Sequence, residues 1–268
     1  MPGKFKEFKR ICQGAKLEKQ KRKHDWWHAV PRFISIYITW ILVKTPITAN
    51  FVTLLGIAIG LMGLYLIFLG NTFTIILGFI LLYIYYISDE IDGEIARYKN
   101  QTSVRGIYYD EIGHLLFQGS LFFTFGMTLY NNTSNNLYII LGFATSFLLL
   151  CIRVVRKVCF VATSKSSVSK IEIKRQINPQ ESESVKGRFK LLKGIIINLI
   201  NAFSHTMLIT TVFFIGYILF IYFDLLWILE LLLKAYFIFM LIVFIVFTII
   251  KYRSLENDIV KTYYLIIE

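Results

Sequence analysis

The sequence predicts an all-α integral membrane protein with six transmembrane helices and a short N-terminal amphipathic helix lying in the membrane interface. Three observations lead to this fold. Hydrophobic residues make up 56% of the 268 residues, and the mean hydropathy is +0.60. Six apolar segments approach about 20 residues, the length that crosses a bilayer. Lysine and arginine are concentrated in only some of the polar segments, as the positive-inside rule expects of a membrane protein.

The N-terminal part of the chain is basic. Residues 1–28 are rich in lysine and arginine, and we interpret them as a cytoplasmic tail attracted to anionic lipid headgroups. Nucleic-acid binding would also fit this charge, but nothing else in the sequence supports a nucleic-acid partner. Trp26 and Trp27 are typical of an interfacial anchor. The interfacial helix is predicted within 29–48, because its apolar part is too short and too interrupted to cross a membrane.

Six spans follow and form the predicted catalytic domain, residues 49–252. They cover roughly 51–70, 73–97, 107–130, 136–155, and parts of 195–223 and 225–250. Only 73–88 of the second span is apolar, so its acidic end is expected to emerge at a polar face. Residues 253–268 are predicted as a cytoplasmic C-terminal tail.

The distribution of positive charge predicts the orientation of these spans. Linkers 71–72 and 131–134 carry no lysine or arginine, whereas the linker 153–193 and the C-terminal tail carry many. The positive-inside rule therefore places both termini in the cytoplasm, in a protein of the cytoplasmic membrane. The acidic end of the second span falls on that same side, where soluble nucleotides are found.

Candidate functional residues lie where the second span ends and the third begins. At about 100° per residue, one face of the second helix holds Asp89, Asp92, Gly93, Ala96 and Arg97. One face of the following helix holds Gly106, Asp110, Gly113 and His114. Glu90 lies at the edge of the first face, while Glu94 and Glu111 point away. Carboxylates at the end of a membrane segment are costly and indicate function. This oxygen-rich set suits a hard divalent cation such as Mg²⁺.

In these residues the chain resembles the CDP-alcohol phosphotransferases, whose motif reads D-x2-D-G-x2-A-R-x8-G-x3-D-x3-D. The matching positions are Asp89, Asp92, Gly93, Ala96, Arg97, Gly106 and Asp110. His114 stands where the family has its fourth aspartate, so seven of eight positions match with every spacing kept. A chance match at a charged helix end would explain neither the spacing nor the shared faces.

The resemblance implies an enzyme of phospholipid biosynthesis. The hydroxyl of an alcohol acceptor attacks the β-phosphorus of a CDP-linked donor, such as CDP-diacylglycerol, and CMP leaves. It also implies two divalent ions, Mg²⁺ or Mn²⁺, with Asp89, Asp92 and Asp110 as ligands. Membrane lipids are implied as partners, and a homodimer as the assembly. Which acceptor alcohol is used does not follow from the sequence.

The same resemblance assigns residues to the nucleotide. Those implied to line CDP are Gly93, Ala96, Arg97 and Gly106. Arg97 would face a phosphate, since its planar guanidinium meets phosphate oxygens well; pairing with Glu94 is the alternative. Asn50 and Thr53 match the family's T-P-N-x-V-T entry to the first span, with Ala49 in place of proline. They are implied to lie near the nucleotide, although capping a helix would explain either residue alone.

His114 is the departure from the family motif. The fourth acidic position of the family serves as the base and also touches metal. With Asp110, His114 is therefore predicted to be catalytic, because imidazole is a competent general base near neutral pH. It is also a possible metal ligand that carries no negative charge. Three alternatives stay open: a histidine base, a histidine that only positions substrate, or a weakened enzyme.

Other functions remain as alternatives. A transporter would also use intramembrane carboxylates, but it would not explain a cytidine-type motif at one membrane face. A catalytically silent relative acting as a membrane scaffold is suggested by His114 alone. A basic cluster of Arg153, Arg156 and Lys157 could hold an acceptor phosphate, and ordinary positive-inside charge explains it equally well.

Overall fold

The computed structural model describes residues 2–23, 29–165 and 206–267, whose regular secondary structure is entirely helical. The helices in these ranges are α1 (Pro2–Lys23), α2 (Ala29–Leu42), α3 (Ala49–Leu69), α4 (Thr72–Tyr98), α5 (Val104–Thr133), α6 (Leu137–Lys165), α7 (Thr206–Phe223) and α8 (Leu226–Ile267). Six of them, α3 to α8, are long and apolar enough to cross a membrane. The predicted all-α fold with six spans is confirmed, and the protein is a multi-pass membrane protein.

The helices that can be compared begin close to the predicted positions, but α6 and α8 continue past their predicted ends at 155 and 250, to Lys165 and Ile267. Helices α3, α4 and α5 begin and end within three residues of the predicted spans. Polar residues cap their first turns, since the side chains of Thr48, Asn71 and Ser103 each accept a hydrogen bond from a backbone N–H three residues on. Part of the fifth span (195–205), most of the basic linker, Trp26 and Trp27 lie outside the described residues.

The helix pair α3–α4 is packed through glycine. A Cβ on Gly78 would lie 2.6 Å from the carbonyl oxygen of Gly63, and a Cβ on Gly63 would lie 2.9 Å from that of Gly78. The two backbones therefore touch, as membrane helices commonly do at small residues. Aromatic rings fill the centre of the bundle, where Phe125 of α5 stacks on Phe213 of α7 at 4.1 Å between centroids.

Helix α2 is amphipathic, with its apolar side facing away from the protein. Its exposed side carries Val30, Phe33, Tyr37 and Ile41 at helical spacing. Its buried side includes Arg32, Ser35 and Thr39, which face α4. A helix that exposes apolar residues and hides polar ones matches an interfacial position, where the outer face meets lipid.

Helix α1 is found where the sequence predicted only a basic tail. An apolar stripe at helical spacing explains it: Phe8 and Cys12 are buried, and Phe5 packs beside them. This stripe contacts Ile36 and Trp40 of α2. The sequence analysis did not identify this stripe, because the segment contains many lysines and its composition indicates a basic tail. As a result, the basic N-terminal segment is docked on the transmembrane bundle.

Cys12 provides a test of this docking. Its side chain is fully buried, and burial raises the pKa of the thiol to about 12, with the nearby Glu94 carboxylate adding to the shift. Little thiolate therefore forms near neutral pH, so we expect Cys12 to resist maleimide in the folded protein and to react after denaturation. Mass spectrometry of a Cys151→Ser, Cys159→Ser variant measures this reaction.

The matched control for this experiment is Ile11→Cys in a chain that lacks the three native cysteines. Ile11 is 47% exposed on the same helix, so a cysteine there should react quickly. Equal rates at positions 11 and 12 in the folded protein would mean that α1 is not docked in solution.

Candidate active site

A cavity of about 300 Å³ opens where the N-terminal ends of α3 and α5 meet the C-terminal end of α4. Helix α1 lies beside this cavity. Nine of the ten residues predicted for the site line this cavity. They are Asn50, Thr53, Asp89, Asp92, Gly93, Ala96, Gly106, Asp110 and His114. The tenth residue, Arg97, is not among the described residues of the lining. The helix faces inferred from sequence are thus brought together in one place.

The short turn between α4 and α5 positions two of the cavity walls. Lys99, at the end of α4, donates from Nζ to two backbone carbonyls just before α3, each at 2.8 Å. Ser103 accepts a hydrogen bond at Oγ from the Gly106 N–H at 3.0 Å, which starts α5. Gly106 must stay small, since a Cβ there would lie 2.9 Å from Asn50 Oδ1.

Six further residues line the cavity and were not predicted as site residues from the sequence. They are Lys16, Ala49, Gln101, Thr102, Ser103 and Ile107. Four of them fall at unspecified positions around the motif, where the spacing alone could have drawn attention to them. Lys16 is far away in sequence, and no pattern connected it with the motif.

Asp89, Asp110 and His114 form a compact group of potential metal ligands. One ligand atom from each lies within 4.8 Å of the other two. His114 Nε2 is 3.4 Å from Asp110 Oδ1 and 3.7 Å from Asp89 Oδ1. Two carboxylates and an imidazole at this separation fit a divalent cation, and all three side chains are partly exposed to the cavity.

Asp92 lies outside this group although it lines the same cavity. Its Oδ2 accepts a hydrogen bond of 2.6 Å from Thr53 Oγ1 on α3. That contact fixes the orientation of the carboxylate. It also joins Thr53 and Asp92, two residues that the family resemblance assigned to the site. Only one carboxylate oxygen is engaged by Thr53, so the other is available to a ligand in the cavity.

Arg97 points behind the cavity wall. Its Nε donates to the carbonyl oxygen of Cys12 on α1 at 2.5 Å, and its Nη1 lies 3.1 Å from where a Cβ on Gly93 would be. Its Nη2 is buried and has no hydrogen-bond partner among the described residues. Glu94, the alternative partner considered for Arg97, accepts hydrogen bonds from other side chains. The guanidinium therefore sits between α1 and the glycine that lines the cavity.

Comparison with known families adds to this geometry. The family model described as CDP-alcohol phosphatidyltransferase matches residues 46–250, which is most of the chain. The chain belongs to the CDP-alcohol phosphatidyltransferase family. A comparison with curated proteins finds no significant match. Members of this family transfer phosphate groups, and membership implies a CDP-alcohol donor, an alcohol acceptor and a membrane setting.

In this member of the family, the opposite side of α4 carries two buried carboxylates. Glu94 is fully buried and accepts hydrogen bonds from Gln13 Nε2 at 2.6 Å, Ser35 Oγ at 2.7 Å and Thr39 Oγ1 at 2.6 Å. Three neutral donors from α1 and α2 thus surround one carboxylate. Hydrogen bonds to a charged group contribute about 1.5–3 kcal/mol each, so these contacts hold both helices on α4.

Glu90 lies one turn earlier and is also buried. Lys16 Nζ is 2.8 Å from its Oε2, and Arg32 Nε is 3.2 Å from its Oε1. Together these residues form what we call the polar cluster: Gln13, Lys16, Arg32, Ser35, Thr39, Glu90 and Glu94. The sequence placed Glu90 at the edge of the main face of α4 and Glu94 off it, and the structure shows which helices meet them there.

The basic cluster at the end of the apolar part of α6, Leu137–Lys157, is engaged by Glu111 of α5. Arg153 Nη2 lies 2.7 Å from Glu111 Oε2, and Lys157 pairs with the same oxygen. Arg156 lies over the ring of Phe247 at 5.8 Å. Glu111 thus faces α6, away from Asp110 and His114, as the helical periodicity predicted.

Proposed function

We propose that this membrane protein is a divalent-metal-dependent CDP-alcohol phosphotransferase of phospholipid biosynthesis. It would move a substituted phosphate, such as phosphatidyl from CDP-diacylglycerol, to an acceptor hydroxyl with release of CMP. The observation that carries this proposal is the group of Asp89, Asp110 and His114 at one cavity, in a chain matched by the family over 46–250.

Asp89, Asp92 and Asp110 are proposed as the ligands of Mg²⁺ or Mn²⁺, in two sites. His114 would be a fourth ligand only in place of acting as the base, since one nitrogen lone pair cannot hold both a metal ion and a proton. When bound, such ions neutralise negative charge on the transferred phosphate and on the leaving oxygen. The contribution of this chain is to hold the carboxylates in place before substrate arrives. Thr53 does so for Asp92, and the start of α5 does so for Asp110.

His114 is proposed as the base. The acceptor oxygen forms a bond to the β-phosphorus, the bond from that phosphorus to the CMP oxygen breaks, and the acceptor proton moves to His114 Nε2. Asp110, one turn earlier on α5, lies 3.4 Å from this nitrogen and would stabilise it once it is protonated.

The nucleotide is proposed to lie along the small residues of the lining, Gly93, Ala96 and Gly106, with Asn50 and Thr53 on the facing helix. Arg97 would contribute positive charge from behind Gly93. The active site and both termini are proposed to face the cytoplasm, as the lysine and arginine distribution indicates. A homodimer is proposed from the family resemblance alone.

Gly93→Leu is expected to block binding of CDP. Even a Cβ at this position would approach Arg97 Nη1 to 3.1 Å, so a leucine must extend into the cavity or displace the guanidinium. Isothermal titration of CDP into purified wild-type and variant protein measures the effect. The control is Gly119→Ala, a glycine on α5 outside the cavity lining. CDP binding of wild-type strength in Gly93→Leu would contradict the placement of the nucleotide.

The activity itself is tested by measuring CMP release from purified protein with a panel of CDP-linked donors and alcohols. Release that requires both a CDP-linked donor and an acceptor would support the proposal and identify the substrates. CDP binding without release from any donor would instead favour the silent scaffold that His114 suggests. Failure to bind cytidine nucleotides at all would reject both.

A further inference from the structure

Lys16 is a cation that helix α1 brings to the cavity from outside the family match. It lies before residue 46, where that match begins. The neighbouring turn of α1 is fixed on α4, because Gln13 bonds Glu94 and the Cys12 carbonyl accepts from Arg97. The position of Lys16 beside Asp89 and Asp92 is therefore set by buried contacts.

The Lys16 ammonium lies between the polar cluster and the cavity. Its Nζ lies 2.8 Å from Glu90 Oε2, yet its side chain keeps 36% of its exposure while that of Glu90 keeps 4%. Glu90 is shared with Arg32, whose Nε lies 3.2 Å from the other carboxylate oxygen. An ammonium group has three N–H donors. Donors of Lys16 not directed at Glu90 can therefore reach a ligand in the cavity.

A cation in this cavity would offset the negative charge of the carboxylates that line it. Its described lining contains Asp89, Asp92 and Asp110, and Lys16 is the sole lysine or arginine in that lining. A diphosphate entering this space would meet three carboxylates. Arg97, the arginine of the motif, is directed to the Cys12 carbonyl instead.

We propose that Lys16 binds the diphosphate of the CDP-linked donor through a charge-assisted hydrogen bond. This inference rests on the proposed function, and it assigns to α1 a part in recognising the substrate. In the absence of ligand the ammonium group is paired with Glu90, which competes with the diphosphate for it. The simpler alternative is that Lys16 only fastens α1 to α4.

The two roles differ in how affinity depends on phosphate. We would titrate cytidine, CMP and CDP into purified full-length protein with Mg²⁺ present. In Lys16→Met, the affinity for CDP is expected to fall by about 10- to 100-fold, the range of a hydrogen bond to a charged group. The affinity for cytidine should change little, so the ratio of CDP to cytidine affinity falls.

Glu90→Gln is the matched control, since it breaks the same ion pair but keeps the lysine. It should keep the wild-type ratio of CDP to cytidine affinity or raise it. An equal loss of this ratio in Glu90→Gln and Lys16→Met would show that Lys16 only fastens α1. A wild-type ratio in Lys16→Met would also overturn the proposal.

A second measurement uses the wild-type protein and so does not depend on a variant folding. Reductive methylation followed by mass spectrometry reports the reactivity of Lys16. CDP should slow methylation of Lys16, and cytidine should not; equal rates with the two ligands would overturn the inference. UDP is titrated into the wild-type protein as well; if the protein does not prefer CDP over UDP, the proposed function fails too.

Discussion

Asp89→Asn is expected to abolish CMP release. Asp89 lies in the group with Asp110 and His114, so the substitution removes both a charge and an oxygen ligand from the proposed metal site. Changes to residues that merely support a metal ligand typically cost about 10–100-fold. Loss of a ligand itself should therefore exceed about 10³-fold. Asp92→Asn and Asp110→Asn are expected to have the same effect.

The measurement is CMP release by purified protein over a range of Mg²⁺ and Mn²⁺ concentrations, together with the effect of each metal on the melting temperature. The matched control is Asp224→Asn, which changes an exposed aspartate between α7 and α8. Its φ of 56° suits asparagine as well as aspartate. Full activity of the wild-type protein in excess chelator would reject the metal site.

His114→Ala should lower turnover by about 10²–10⁴-fold, the usual contribution of a general base. Binding of CDP should largely survive, because the small residues that line the cavity are unchanged. His114 Nε2 lies 3.4 Å from Asp110 and 3.7 Å from Asp89, so the substitution removes the base from beside the proposed metal ligands. Single-turnover CMP release separates this effect from substrate binding.

Two further substitutions identify what His114 does. His114→Gln keeps a polar side chain but cannot accept the proton, so it should be as slow as His114→Ala. His114→Asp restores the family motif and should retain activity. If His114→Ala turned over at the wild-type rate, the imidazole ring would have only a packing role.

The transmembrane part of the fold could be predicted from sequence because its signals are local. Apolar length defines α3, α4 and α5, and polar caps such as Thr48 and Ser103 mark where helices start. The fixed spacing of the motif placed Asp89 and Asp110 on facing helix ends, and the structure brings them to one cavity. Helical periodicity was also sufficient to predict that Glu111 faces away from that cavity.

The contacts between α1, α2 and α4 could not be predicted in this way. Periodicity shows that Glu94 points off the main face of α4, but it does not show which helix lies opposite. The partners of Glu94 are 55 to 81 residues away in sequence. The position of Arg97 depends on the same contacts, since the Cys12 carbonyl that it meets exists only where α1 is docked.

The long sequence separation in the polar cluster also bears on how the protein is made. Arg32, Ser35 and Gln13 leave the ribosome before Glu90 and Glu94, which lie 58 to 81 residues later. At about 5–20 residues per second, the first two helices wait several seconds for their carboxylate partners. Until α4 is inserted, the polar side of α2 does not contact the two glutamates of α4. Closing this cluster therefore follows the insertion of α4, and it joins the earliest part of the chain to a site that is completed afterwards.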